Sequence, residues 1–166
     1  MRWIWIVGGS FVLLVSVMAL IGAMLPKSHR GTRRARFHQS PETLYAMLAG
    51  PPDWRTGVKA SGALPDGKWW EQDDHGNKIT YELIEDRAPV QRIIRIADKS
   101  LPYGGTWTFD VAPDPAGAAV RITEDGEVYN VVFRFMARFI FGYTSSIETY
   151  LRDLGRKFGE TVQIEP

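Results

Sequence analysis

The chain contains 166 residues, of which 45% are hydrophobic and 23% are charged, so we expect one globular domain with a sizeable core and a short additional segment. It has no cysteine, which excludes disulfide bonds, thiolate metal sites and a cysteine nucleophile. Its three histidines are dispersed along the sequence, and we therefore expect neither a metal site nor a cofactor.

The net charge of +1 conceals an uneven distribution of charge. The first 36 residues hold six Lys or Arg and no acid, which leaves 14 basic and 19 acidic residues, a charge of −5, for the rest. A nucleic-acid partner requires a basic face on the folded domain. The acidic balance of residues 37–166 therefore excludes nucleic-acid binding as the predicted function.

Residues 3–25 carry no charge and predict a transmembrane helix. At about 1.5 Å per residue, 23 helical residues span roughly 34 Å, which is enough to cross the hydrocarbon core. A cleaved signal peptide is the alternative, but its apolar core is usually about 7–15 residues long. The segment Ile21-Gly-Ala23 also fits a cleavage site poorly. We therefore interpret residues 1–26 as a retained membrane anchor.

Five Lys or Arg residues follow this span within residues 27–36, whereas only Arg2 precedes it. The positive-inside rule then predicts a single-pass protein of the inner, cytoplasmic membrane whose domain lies on the cytoplasmic side. Residues 27–36 form a basic juxtamembrane collar that merges into the first strand. This collar either binds anionic lipid or serves only to set the topology.

The folded domain is expected to begin with a strand over Thr32–His38. A helix follows, because Ser40 can cap it and Pro41 suits its first position. A second, shorter helical turn is predicted at residues 53–55, with Asp53 as its cap. Period-two alternation and turn residues then predict six antiparallel strands: Val58–Leu64, Lys68–Asp73, Lys78–Asp86, Val90–Asp98, Gly105–Ala112 and Ala118–Tyr129.

The C-terminal part, Asn130–Phe158, predicts one long helix. Its second half carries an apolar stripe with helical spacing, formed by Ile147, Leu151, Leu154 and Phe158. Its first half, Val131–Phe141, is apolar on nearly all sides, and three interpretations stay open: core, cavity wall or membrane-interface segment. The fold class is therefore α+β, a curved antiparallel sheet of about seven strands around a long C-terminal helix.

Several motifs carry a resemblance to a known family. They are Ser40-Pro-Glu-Thr-Leu-Tyr45, Trp54, Leu101-Pro-Tyr-Gly-Gly-Thr-Trp107, Ile122-Thr-Glu-Asp-Gly-Glu-Val-Tyr-Asn130 and Phe133-Arg-Phe…Arg138-Phe…Phe141-Gly142. Over about residues 30–160 the chain resembles the START-like SRPBCC superfamily, specifically polyketide cyclase/dehydrase-like bacterial members with a membrane anchor. The resemblance implies a helix-grip domain over residues 30–162, with a hydrophobic cavity under the C-terminal helix. It also implies a hydrophobic or lipid-like small molecule as the ligand.

Aromatic and charged residues near this expected cavity are the candidate ligand-binding residues. They are Tyr81, Arg95, Trp107, Glu124, Phe133, Arg134, Met136 and Arg138. Arg134 and Arg138 share one helix face because they are four residues apart. Three interpretations stay open: they bind a carboxylate or phosphate headgroup, they pair with Glu124 or Glu127, or they extend into solvent.

The only candidate catalytic groups are Glu124 and Glu127, since two carboxylates can divide acid and base roles. The sequence offers no matching set of nucleophile and base. We therefore predict a membrane-tethered binding module rather than an enzyme. The alternatives are a cyclase, dehydratase or hydrolase that acts on an apolar substrate through Glu124 or Glu127, and a structural or regulatory membrane domain whose cavity is filled by side chains.

Overall fold

The computed structural model describes residues 2–166. Its helices are α1 (Arg2–Met24), α2 (Pro41–Ala49), α3 (Val131–Met136) and α4 (Ser145–Lys157). Its strands are β1 (Ser28–Phe37), β2 (Ala60–Ala63), β3 (Trp69–Gln72), β4 (Lys78–Arg87), β5 (Gln91–Ile96), β6 (Tyr103–Asp114), β7 (Gly117–Val128) and β8 (Ile164–Glu165). A π-helical turn, Ala137–Phe141, follows α3 directly.

The strands form one antiparallel sheet in the order β2-β3-β4-β5-β6-β7-β1-β8. The first strand lies beside β7, with Ser28 opposite Glu127 and Phe37 opposite Ala118. This architecture confirms the predicted α+β class and is consistent with a helix grip. The sheet has eight strands rather than about seven, because the two-residue β8 pairs with Arg34 and Ala35 and is too short to leave a periodic pattern.

The core lies between the inner face of the sheet and helices α2 and α4. Helix α2 begins as its sequence indicates, since the Ser40 hydroxyl accepts a hydrogen bond from the Thr43 backbone N–H at 3.2 Å. Its buried side chains and the stripe of α4 meet the sheet residues in one cluster. The largest fully buried members are Phe37, Leu44, Val120, Ile122, Ile147, Leu151 and Leu154.

The predicted continuous helix over residues 130–158 is wrong, because the chain breaks at Gly142. This residue has φ 77° and ψ 153°, a conformation that essentially only glycine adopts. Helix α3, at the start of this stretch, packs against α1, whereas α4 covers the sheet. The short helical turn predicted at residues 53–55 corresponds to a single turn around Trp54, which the hydrogen bond from the Arg55 N–H to the Pro52 carbonyl closes at 3.0 Å.

Helix α1 has the length and composition of a membrane span. Residues Trp5–Met24 have a mean hydropathy of 2.4, and only 6% of this stretch is buried within the protein. The basic collar, by contrast, is mostly part of β1. Arg33 binds Glu148 of α4 at 3.1 Å, and both Arg34 and Arg36 bind Asp114. These three arginines are therefore occupied by the domain itself.

Candidate functional site

A cavity of about 1160 Å³ lies between the inner face of the sheet and helices α2 and α4. Its size is slightly above the range of about 300–1,000 Å³ that is usual for small-molecule sites. The large side chains of Trp69, Trp107 and Phe133 line this space and leave it open. The alternative of a cavity filled by side chains therefore does not describe the structure.

Aromatic rings form much of the cavity wall. The Tyr150 ring of α4 lies 5.8 Å from the Trp107 ring and 5.3 Å from the Phe109 ring, centroid to centroid. On the neighbouring strands, Trp69 and Tyr81 stack at 5.6 Å. These arrangements follow from strand alternation, which directs every second side chain to the inner face. The wall can therefore contact an apolar molecule over a large area.

A buried ion pair interrupts this apolar wall. The Arg55 Nη1 atom lies 2.6 Å from the Glu71 Oε2 atom, and the Trp69 indole N–H donates to the other carboxylate oxygen at 3.3 Å. The Arg55 guanidinium also lies 4.7 Å from the centre of the Tyr150 ring. Charges in such a site need partners, and this cluster supplies them. It provides fixed polar groups that could orient a mostly apolar ligand.

Two tyrosine hydroxyls near the pair stay neutral over the physiological pH range. Burial raises the pKa of Tyr150 to about 12, and it raises the pKa of Tyr81 as well. A neutral hydroxyl can donate one hydrogen bond and accept others. Tyr81 and Tyr150 therefore contribute hydrogen-bonding capacity to the cavity without adding charge.

Glu124 is a half-buried acid that faces the cavity. Burial raises the pKa of its carboxyl, although hydrogen bonds from the side chains of Trp107 and Ser146 act in the opposite direction. The Ser146 Oγ atom lies 3.3 Å from Glu124 Oε2. Glu127 also reaches the cavity but is exposed, and its carboxylate accepts a hydrogen bond from the Tyr129 hydroxyl at 2.7 Å. The two acids therefore have different environments.

A histidine that the sequence reading passed over lies on the same side of the cavity. The His29 ring stacks on the Tyr143 ring at 4.2 Å with an interplanar angle of 14°. Burial lowers the pKa of His29. Since its reference pKa is already near 6.5, this ring is mainly neutral at pH 7.

The structure brings together four of the eight residues predicted to bind the ligand. The four that line the cavity are Tyr81, Trp107, Glu124 and Phe133. Arg95 lies on the outer face of β5, where it binds Glu82 at 2.6 Å. Met136 is half-buried away from the cavity lining, and the exposed Arg138 lies 5.9 Å from the Tyr143 ring centre.

Arg134 has a role that none of the sequence alternatives foresaw. Within the part of the chain that the structure describes, it pairs with neither Glu124 nor Glu127. Its buried guanidinium instead donates to four backbone carbonyl oxygens. These belong to Val128 at 2.8 Å, Tyr129 at 3.0 Å, Leu25 at 3.3 Å and Gly22 at 3.4 Å.

The Arg55–Glu71 pair is the part of the site that sequence reasoning missed. Its members are separated by 16 residues and come from a turn and a strand, so no spacing rule links them. One signal was present, because Glu71 lies two positions after Trp69 and therefore shares its face of β3. A carboxylate on the same strand face as a large aromatic side chain would have been a reasonable candidate.

Within residues 2–166, no group of three or more His, Asp or Glu side chains is placed to hold a metal ion. The polar groups that the structure brings to the cavity wall include the Arg55–Glu71 pair, the neutral tyrosines, His29, Glu124 and Glu127.

Comparisons with solved structures identify the same fold in other proteins. A conserved protein from Geobacillus kaustophilus matches with a TM-score of 0.66 and 12% identity, over 83% of this chain and 100% of that chain. A protein from Mesorhizobium loti matches with a TM-score of 0.61 and 14% identity, over 79% and 97% of the two chains. Norcoclaurine synthase from Thalictrum flavum, a Bet v1/SRPBCC fold, matches with a TM-score of 0.59 and 11% identity, over 81% and 90%.

No model of a known protein family matches the sequence, and no curated protein matches it. At these identities the structural matches establish the fold alone. The fold is thus compatible with the SRPBCC fold that the motifs suggested.

Proposed function

We propose that this protein is a membrane-tethered binding module for a hydrophobic or lipid-like small molecule. The observation that carries the proposal is the cavity of about 1160 Å³ between the sheet and α4. Its aromatic wall suits an apolar body, and the Arg55–Glu71 pair suits one polar group at a fixed place. The Bet v1-like fold of the structural neighbours supports a ligand-binding role.

The tether in this proposal is α1, whose length and hydropathy suit a single membrane span. The excess of Lys and Arg after the span favours a domain on the cytoplasmic side of the inner membrane. The proposal retains anionic lipid as a partner of the collar. Lys27 and Arg30 are the relevant residues. Both are exposed, and the ion pair of Arg30 with Asp125 at 3.5 Å leaves 72% of its side chain accessible, whereas Arg33, Arg34 and Arg36 are paired within the domain and less exposed.

Native mass spectrometry of the full chain in mild detergent tests the proposal. We expect an apolar molecule to be retained with the protein and released by organic extraction. Replacing Ile96→Glu on the cavity wall should reduce its occupancy, because a charge there makes the wall unfavourable for apolar atoms. The matched control is Ile93→Glu on the other face of the same strand. Wild-type protein that retains no apolar molecule contradicts the proposal.

A second candidate function is catalysis by Glu124 on an apolar substrate, of the cyclase, dehydratase or hydrolase type. The favouring observation is a cavity-facing carboxyl whose pKa is raised by burial, as a general acid requires. The test compares wild-type and Glu124→Gln protein for conversion of the molecule recovered by extraction. Catalysis predicts conversion by wild type alone with binding by both proteins, whereas pure binding predicts no conversion by either.

A further inference from the structure

The segment 131–141 exposes an unusual amount of apolar surface for a part of a folded domain. Phe139, Ile140 and Phe141 are each 59% exposed, and Phe133 is 44% exposed. Large contiguous apolar patches on proteins usually mark a surface that binds a partner or a membrane. This segment therefore needs a covering partner, and its neighbours in the fold indicate which one.

The neighbour of this segment is α1, the helix with the properties of a membrane span. Most of the described side chains of α1 are exposed. Its half-buried or buried positions are Val15, Met18, Ala19, Ile21 and Gly22, and all of these except Ile21 fall on one stripe with helical spacing. Helix α1 packs against α3. The eight residues from Val15 to Gly22 cover about 10 Å along the helix axis and lie in the second half of the apolar span, residues 3–25.

Gly22 permits an unusually close approach of the two helices. A Cβ atom at this position would collide with the Val131 carbonyl oxygen, and it would lie 3.5 Å from the Phe135 backbone nitrogen. Small residues at helix contacts in membranes allow this kind of backbone packing. The start of the segment 131–141 is therefore fixed against the last turns of α1, at the depth where the apolar span ends.

Arg134 completes the contact by binding carbonyl oxygens at the end of α1. The last carbonyl groups of a helix have no partner within the helix, and in an apolar environment each unpaired group is costly. The guanidinium donates to the carbonyls of Gly22 and Leu25 while it also binds those of Val128 and Tyr129. The buried guanidinium of Arg134 thus holds the junction of anchor and domain. Its charge is not exposed on the apolar surface.

The same segment forms part of the cavity wall. Phe133, Ala137 and Phe141 line the cavity, while the neighbouring Phe139 and Ile140 are exposed without lining it. The segment 131–141 therefore lies between the interior of the cavity and the exposed apolar surface that this segment shares with α1.

We propose that the segment 131–141 inserts into the membrane leaflet next to the last turns of α1, so that the cavity exchanges its ligand with the bilayer. The covering partner is thus the acyl-chain region of this leaflet. The exchange part of the proposal rests on the proposed function, whereas the insertion part does not.

The absence of cysteine from the sequence makes the insertion directly measurable. Single Phe139→Cys and Ile140→Cys variants of the full chain would carry an environment-sensitive fluorophore in vesicles of phosphatidylethanolamine and phosphatidylglycerol. Lipids with a brominated acyl chain would serve as quenchers. We expect a loss of fluorescence similar to that of a label at Leu20 in α1, and no loss for a label at the exposed Val90 in the β4–β5 turn.

Two results would overturn the insertion. One is a label at positions 139 and 140 that brominated lipid quenches no more than the label at Val90. The other is a label that is shielded from aqueous iodide but not quenched by brominated lipid, since a second copy of the chain would then cover the segment.

A double variant tests the exchange of ligand. Phe139→Asp/Ile140→Asp should slow the transfer of a pyrene-labelled fatty acid from vesicles to the protein, while binding of the same probe in detergent is unchanged. Val90→Asp is the control with unchanged transfer. Equal transfer rates for the double variant and wild type would overturn the exchange. If wild type binds no probe in detergent, the proposed function fails, and the quenching result still decides the insertion.

Discussion

The guanidinium of Arg134 lies 3.3 Å from the carbonyl oxygen of Leu25, the residue that directly follows α1. One side chain of the domain thereby binds the end of the apolar N-terminal helix. The same guanidinium donates to Val128 and Tyr129 at the end of β7. Because the guanidinium has several N–H donors, Arg134 links the end of α1 directly to the end of β7.

Replacing this residue gives the first prediction. Arg134→Gln removes charge-assisted hydrogen bonds to buried carbonyls, and we expect the free energy of unfolding in detergent to fall by about 2 kcal/mol. Limited proteolysis should also cut faster between α1 and β1. Arg138→Gln, an exposed arginine four residues later, is the control and should change the stability by less than about 0.5 kcal/mol. Equal effects of the two variants would contradict the assigned role of Arg134.

Much of the sheet could be predicted from sequence, because alternation and turn residues report directly on strands. The strand predicted over Lys78–Asp86 corresponds to β4. In β6, Trp107, Phe109 and Val111 share the inner face of the sheet, as their spacing indicates. The inner face of β7 is similarly periodic. Strand position was predictable since each strand has one buried and one exposed side.

The C-terminal helix shows where the pattern failed. The apolar composition of residues 131–141 and the helical stripe of residues 147–158 were both read correctly, yet they belong to two differently packed helices. A single glycine decides this, because Gly142 adopts a conformation closed to other residues. From sequence, a glycine within a helical pattern indicates only a lower stability and not a break.

The candidate site was predictable only in part, for a related reason. Strand alternation predicted the inner face for Tyr81 and Trp107, and the resemblance predicted the cavity that this face lines. Arg134 was instead chosen because it interrupts an apolar helix, which signals a buried partner without naming it. Its partners are backbone carbonyls of other elements, and backbone groups leave no trace in the sequence.

The Arg55–Glu71 pair gives the second prediction. Glu71→Ala leaves a poorly hydrated cation without its partner, and we expect a loss of about 3 kcal/mol in the free energy of unfolding. Glu85→Ala is the control, since its ion pair with Arg87 is exposed and should contribute less than about 1 kcal/mol. Urea unfolding followed by tryptophan fluorescence measures both values.

A double variant distinguishes the cost of the unpaired charge from the loss of packing around it. Arg55→Met/Glu71→Leu should recover most of the stability that Glu71→Ala loses, because an apolar pair needs no hydration. It should also weaken the binding of any ligand that carries a polar group. A double variant that is no more stable than Glu71→Ala would show that the unpaired charge is not the cause of the loss.

The third prediction concerns pH. Burial raises the folded-state pKa of Glu124 above its ordinary value of 4.5, so the folded protein holds this proton more tightly than the unfolded chain does. The contribution to stability is therefore complete below pH 4.5 and is lost as the pH rises through the folded-state pKa. Glu124→Gln stays neutral and should be more stable than wild type at pH 7, with a smaller difference at pH 4.

Urea unfolding of both proteins at a series of pH values measures this difference. Other acids, such as Glu148 and Glu160, have lowered pKa values in the folded state. Their contributions lower the stability as the pH falls, but they are common to wild type and variant and cancel in the comparison. A stability difference between the two proteins that is constant from pH 4 to pH 7 would contradict a raised pKa for Glu124.

The fourth prediction concerns the break between α3 and α4. A Cβ atom added at Gly142 would meet no other atom within 4 Å, so the cost of Gly142→Ala comes from the backbone conformation alone. We expect this variant to lose about 1–3 kcal/mol in the free energy of unfolding. Gly9→Ala lies in the exposed face of α1, also without close neighbours, and as the control should be neutral or slightly stabilising.

If Gly142→Ala kept full stability and gained helical signal in circular dichroism, residues 130–158 would form one helix in solution. The segment 131–141 would then be free to leave α1, and its contact with the membrane would not be fixed by the fold.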